Sequence, residues 1–188
     1  MSRLKPEVSD ADHRTGPEDA PVTLVEYGDY ECPYCGQAHP IVQQVQKALG
    51  RRLRFVFRNF PLGEIHPHAV RAAETAEAAA AQGKFWEMHD ALFEHQRALG
   101  DPQLLQYAKD LGLDVERVRR ELEAGTHVDR VRSDFGSGAR SGVNGTPTFF
   151  VNGQRLDGPW DFEGLMAAIE QADGAREKKR VASHETLG

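Results

Sequence analysis

Cysteine is scarce. The 188 residues hold two, Cys32 and Cys35, both inside the stretch GDYECPYCGQAH (28–39). A single local pair excludes a disulfide-stapled scaffold, and in a reducing compartment such a pair is catalytic or metal-binding more often than structural. Long apolar runs are missing too: no stretch approaches the roughly 18 residues that a membrane helix needs, so no membrane insertion is expected. The opening MSRLKPEVSDADHRTGPEDAP has neither an apolar h-region nor a small-residue cleavage site and does not read as a secretory signal. If that start is native, a cytoplasmic protein is expected; if a leader was trimmed, a periplasmic or extracellular one. Nor is there an excess of positive charge. Lys+Arg number 23 against 29 Asp+Glu, a formal charge of -6 that argues against nucleic acid or an anionic membrane as the main partner. What remains is ordinary globular composition, 39% hydrophobic and 28% charged, in a chain long enough for one substantial domain or a smaller one with an insertion.

Periodicity organises the chain. Residues 1–20 are polar, with Pro6, Gly16 and Pro17, and read as a lead-in with little structure of its own. VTLVEYG (22–28) is a short β-branched apolar run between Pro21 and Gly28, a buried strand. HPIVQQVQKALG places Ile41, Val42, Val45, Ala48 and Leu49 at helical spacing before Gly50. LRFVFRNF (53–60) alternates Leu53, Phe55 and Phe57 on one face. Strand, helix and strand make a βαβ unit with a parallel pair. From 63 to 139 the signals are helical: an alanine-rich stretch closed by Gly83, then KFWEMHDALFEHQ, then GDPQLLQYAKDLG with Asp101 as N-cap and Pro102 at the first helical position. LDVERVRRELEAG follows, with Asp114 capping and Gly125 closing, and then one more helix. Strand character returns at Phe149–Val151, and Asn152-Gly153 with QRL completes a tight hairpin. PWDFEGLMAAIEQA is an amphipathic helix capped by Asp161, and 173–188 is a charged, solvated tail. The expected architecture is an α/β scaffold over 21–62 and 140–172, interrupted by a helical insertion over 63–139.

Cys32 falls at the N-cap of the first helix and Pro33 at its first position, where the missing N–H costs nothing. Free backbone N–H groups and the helix dipole there stabilise a thiolate, lowering the pKa of Cys32. The three-residue step puts Cys35 one turn along, within bonding reach but deeper. Cys32 is then the attacking thiol and Cys35 the resolving one. A metal site is the rival reading. His39 lies four residues after Cys35 on the same helical face, and His66, His68, His89 and His95 could add nitrogen. A structural zinc site wants four ligands, usually from two paired motifs, and no second cysteine pair exists. His39 reads as a helix-surface residue, and no metal is assigned.

VTLVEYGDYECPYC, RFVFRNFPL, the alanine-rich helix with QGKFWEMHDALF, and GTPTFFVNG together resemble the DsbA-like branch of the thioredoxin superfamily, over about residues 20–172. The resemblance implies a thioredoxin fold carrying a helical insertion between its βαβ and ββα halves. It implies a thiol–disulfide oxidoreductase that needs no cofactor, acts on protein or peptide thiols and disulfides, and exchanges electrons with a thioredoxin- or glutathione-type system. Thr146-Pro147 matches the cis-proline loop that faces the cysteines and offers backbone to substrate, with Pro33 and Tyr34 beside it. Glu26, six residues before Cys32, matches the acidic residue that relays a proton to or from Cys35. A non-catalytic chaperone of the same fold is the other rival.

One departure bears on redox strength. Strongly oxidising members have histidine where this chain has Tyr34, and tyrosine brings no positive charge to the thiolate. Asp29 and Glu31 lie close with negative charge. Both features predict a Cys32 pKa above that of a strong oxidant and a more reducing couple.

Overall fold

The β-branched stretch 22–28 forms the central strand of a five-stranded sheet in the computed structural model, which describes residues 2–185. The strands are β1 (His13–Thr15), β2 (Val22–Gly28), β3 (Leu53–Asn59), β4 (Thr148–Val151) and β5 (Gln154–Arg155), in spatial order β1-β3-β2-β4-β5. β2 and β3 run parallel and are joined by helix α1 (Pro33–Leu49), the expected βαβ unit. β4 pairs antiparallel with β2 and turns into β5. Both turn residues are left-handed, Asn152 at φ 46° and Gly153 at φ 79°. That is the backbone a two-residue type I′ hairpin requires, and Asn-Gly tolerates it best.

Strand alternation divides the interior. Leu24, Phe55, Phe57 and Phe149 point into the larger cluster, with Val42 and Val45 of α1 and with Leu165 and Ile169 of α7 (Phe162–Glu185). Val25, Tyr27, Val56 and Phe150 face the opposite layer and pack with Leu4, Phe60 and Val143. Glu26 shares the parity of Leu24. Its carboxyl therefore belongs to the α1 side of the sheet, in register between Phe57 and Phe149.

Five helices fill the connection from β3 to β4: α2 (Ala69–Ala80), α3 (Phe85–Glu94), α4 (Asp101–Asp110), α5 (Val115–Ala124) and α6 (Val128–Arg140). The alanines of α2 are the reason it can be central. Six of its seven lie fully or almost fully buried, and side chains that small let α3, α5 and α6 approach closely. Asp114 caps α5, accepting from the Arg117 amide at 2.9 Å, and Gly125 closes it at φ 64°. At α4 the cap moves by one residue: Gly100 is the N-cap, and Asp101 and Pro102 are the first two helical positions.

Both chain ends depart from expectation. The lead-in is tied down: Leu4 is buried, its amide donates to the Gly153 carbonyl at 2.9 Å, and β1 pairs antiparallel with β3. Asp12 accepts from Arg58 Nε at 2.7 Å and from Nη2 at 3.0 Å, and Arg58 also donates to the Pro6 and Glu7 carbonyls. A guanidinium buried in β3 needs a carboxylate, and the polar N-terminus supplies it, a pairing that local composition does not display. At the other end α7 runs on through residue 185. Ala, Glu, Lys and Arg are good helix formers, and no proline stops them. Arg52 holds Asp173 at 2.7 Å, and Arg176 donates to the Ala20 carbonyl at 3.3 Å. The exposure expected of this stretch holds for residues 174–178, while 186–188 lie outside the described residues.

Candidate active site

The parallel pair β2–β3 delivers its loops to one end of the sheet, where β2 runs into Asp29, Tyr30, Glu31 and the start of α1. Cys32 is the N-cap of α1, in extended backbone, and Pro33 is the first helical residue. Cys32 is 4% exposed and Cys35 wholly buried, so the two thiols differ as their places in the helix require. Both are free.

Their acidities split further. The Cys32 pKa falls to about 5, foremost through its hydrogen bond with Cys35. The Thr146 side chain and the backbone N–H groups of Cys35 and Tyr34 lower it further, against an opposing effect of burial. Burial pushes Cys35 well above its ordinary value, and its bond to Cys32 and the charge of Glu26 add to that. One thiolate and one retained proton are the asymmetry disulfide exchange needs.

Thr146 and Pro147 come from the loop before β4 and face the pair. The Cys32 sulfur lies 3.4 Å from the Thr146 carbonyl oxygen, and the Thr146–Pro147 peptide is cis. Tyr34 is 62% exposed, the most open large side chain beside the cysteines. Glu26 is buried at 2% exposure, and its Oε1 has no hydrogen-bond partner. Desolvation, with the neighbouring Cys32 charge adding to it, raises its pKa to about 8. The structure thus brings together Cys32, Cys35, Glu26, Thr146, Pro147, Pro33 and Tyr34.

Asp29 and Glu31 do not act on Cys32 as their charges suggest. Asp29 is buried and accepts from the amides of Glu31 and Leu62 at 2.8 Å each, and from His66 Nδ1 at 2.7 Å. Glu31 takes the His68 amide at 2.6 Å and Nδ1 at 2.8 Å. Neither carboxylate is among the largest influences on the Cys32 acidity. Both pin the active-site loop to the segment after β3, so the negative-charge half of the tempering expectation is corrected.

Sequence reasoning missed Gln96. From the turn after α3 its amide donates to the carbonyls of Tyr30 at 2.8 Å and Cys32 at 2.9 Å, clamping the loop in front of α1. Gly36 makes room for it, since a Cβ there would collide with the Gln96 amide. A lone glutamine after a helical stretch carries no sequence signal of such a contact. His39 was misplaced: it is buried, against the surface position expected. Its neighbours His89 and Asp90 are the partners with which it could hold a metal among the described residues, a group that includes neither cysteine.

The sequence profile of a family described as Thioredoxin matches residues 8–171. The chain belongs to the thioredoxin family. Its fold is that of the DsbA-type thiol–disulfide oxidoreductases. BdbD from Bacillus subtilis superposes with a TM-score of 0.80 at 26% identity, covering 87% of this chain and 93% of that one. A thioredoxin-like oxidoreductase from Silicibacter pomeroyi gives 0.77 at 30% identity, with the same coverage of 87% and 93%. Wolbachia pipientis alpha-DsbA1, at 19% identity and TM-score 0.79 over 92% and 96%, shares the fold. A curated relative, Na(+)/H(+) antiporter NhaA 3 of Salinispora tropica, is 50% identical over 163 residues, 87% of this chain and 25% of that protein. The chain spans about a quarter of the length of the curated relatives it matches. No helix among the described residues is long and apolar enough to cross a membrane.

Proposed function

We propose that this domain exchanges disulfides with protein or peptide substrates through the Cys32–Cys35 couple. The observation that carries the reading is the split pair at the start of α1: a Cys32 thiol lowered to about 5 above a buried Cys35 raised well above its ordinary value. In the reducing direction the Cys32 thiolate attacks a substrate disulfide. An S–S bond forms between Cys32 and the substrate, and the other substrate sulfur leaves as a thiolate that takes a proton from water. Cys35 passes its proton to the Glu26 carboxylate and attacks the Cys32 sulfur, and the second substrate thiolate leaves. The substrate gains two electrons, and the pair is left as a disulfide. Oxidation of a dithiol substrate runs through the same steps in reverse.

Glu26 suits the relay because a carboxyl with a pKa near 8 can accept and return a proton near neutral pH. Thr146 and Pro147 present backbone to an extended peptide, with Pro33 and the exposed ring of Tyr34 as the apolar floor. A thioredoxin- or glutathione-type system would reset the couple, and a cytoplasmic glutathione pool would favour the reducing direction. Antiport, the activity named for the Salinispora relative, belongs to a protein more than three times as long and is not carried over.

Insulin reduction by dithiothreitol tests the reading. Wild type accelerates it, Cys32→Ser does not, and Cys35→Ser accumulates a mixed disulfide with substrate. Equal rates for wild type and Cys32→Ser would overturn catalysis and leave a chaperone or scaffold.

A further inference from the structure

We propose that His39, His89 and Asp90 form a binding site for a divalent first-row transition metal of the zinc type, between α1 and α3. One ring nitrogen from each histidine and one carboxylate oxygen lie within 4.8 Å of one another. His39 Nε2 and Asp90 Oδ1 are 3.4 Å apart. Zinc ligands about 2.0–2.1 Å from a tetrahedral centre stand about 3.3–3.4 Å from each other, so this pair already spans one edge of a coordination tetrahedron. Two imidazoles and a carboxylate are a donor set that suits zinc and its neighbours, not calcium or magnesium.

Aromatic packing explains part of the cluster. His39 stacks on Phe93 at 4.9 Å, and His89 meets the edge of Phe57 at 4.6 Å. Packing alone would be served as well by phenylalanine and gives no reason for two imidazole nitrogens to converge on a carboxylate. The Tyr30 hydroxyl bonds Nδ1 of His89 at 3.1 Å. That contact orients the ring and leaves Nε2 available, as outer partners of metal-binding histidines do.

Gln43 supplies the fourth position. Its amide nitrogen sits 3.2 Å from His39 Nε2 and 3.5 Å from Asp90 Oδ1, donating to both. Rotating that amide by half a turn presents Oε1 to an incoming cation instead. Gln43 is exposed and the Asp90 side chain is 47% exposed, which gives an entry path from solvent. A bound cation would tie α1, one turn beyond Cys35, to α3 of the insertion. The inference does not depend on the redox reading, since neither cysteine is a ligand.

Calorimetric titration of zinc chloride into the Cys32→Ser/Cys35→Ser variant of the 188-residue chain removes binding by thiolates. One equivalent per chain is expected, with affinity falling at least tenfold on adding Asp90→Asn, a half-exposed change that leaves the core intact. His39→Phe, which keeps the stack on Phe93, is expected to fall as far. Circular dichroism without zinc checks that each variant is folded, and cobalt in place of zinc should give the visible bands of a tetrahedral site. No zinc uptake by the double serine variant at micromolar metal, or equal affinity in folded Asp90→Asn and His39→Phe variants, would overturn the proposal.

Discussion

The Cys32 sulfur lies 3.4 Å from the carbonyl oxygen of Thr146, a residue 114 positions further along the chain. Tertiary closure of the sheet brings them together: β2 carries the cysteine loop, β4 follows the Thr146–Pro147 turn, and the two strands pair in register from Leu24 to Tyr27. The Thr146 hydroxyl is buried without a hydrogen-bond partner. A buried polar group left open costs about 1–3 kcal/mol, and the neighbouring thiolate is the acceptor that would relieve it.

Thr146→Val keeps the β-branched shape and removes that hydroxyl. Hydrogen bonds to charged groups contribute about 1.5–3 kcal/mol, so the Cys32 pKa should rise by about 1–2 units. Ultraviolet thiolate absorbance followed against pH reads the shift directly. An unchanged titration would remove the Thr146 side chain from the account of Cys32 acidity.

Glu26→Gln should change the pH dependence of stability in the reduced protein. The Glu26 pKa is about 8 in the fold against an ordinary 4.5, so the native state holds a proton that the unfolded chain releases. Its effect is a loss of stability that grows from about pH 4.5 and levels off above about 8. Cys32 has the opposite sign: at about 5 against an ordinary 9.0, its contribution is absent below pH 5, grows as pH rises and is complete above 9. With glutamine at 26 the first effect is removed and that of Cys32 remains. Urea unfolding should then show a gain on the order of 3 kcal/mol over wild type at pH 8 and little difference at pH 4. The inflection near pH 8 in the rate of mixed-disulfide resolution should vanish in the same variant.

The main lines of the site were legible because they are local. The N-cap at Cys32, the proline after it, the carboxylate in an apolar strand and the Asn-Gly turn all act within a few residues of themselves. Contacts between distant segments were not legible. Gln96 reaches the active-site loop from the insertion, Asp12 reaches Arg58 from the N-terminus, and His66 and His68 take up Asp29 and Glu31. None of these pairings leaves a periodicity or spacing in the sequence. The misjudged side chains, His39 on a surface and Asp29 and Glu31 as free charges, share that cause.

Tyr34→His tests what remains of the tempered-couple argument. With Asp29 and Glu31 engaged elsewhere, the dipeptide between the cysteines is the part still able to act on the thiolate. A histidine there adds a donor and, when protonated, a positive charge, both of which favour the reduced form. The wild-type couple is expected well below the roughly −120 mV of a strong oxidant, and Tyr34→His should raise it by about 30 mV or more. Equilibration with glutathione buffers measures both values. Since Tyr34 is exposed, the fold should be unaffected.

Asp12→Ala tests whether the N-terminal segment is part of the folded unit. The change leaves the Arg58 guanidinium, almost wholly buried, without its carboxylate. Removing one partner of a buried ion pair costs about 3–5 kcal/mol. The bonds from Arg58 to the Tyr27 hydroxyl and to the Pro6 and Glu7 carbonyls remain, which favours the lower end of that range. Urea unfolding should show a loss of about 3 kcal/mol, while the Cys32 pKa stays in place because Asp12 is not among the groups that set it. Loss of less than about 0.5 kcal/mol, the range of ordinary surface substitutions, would mean that the segment behaves as the loose lead-in its composition suggests.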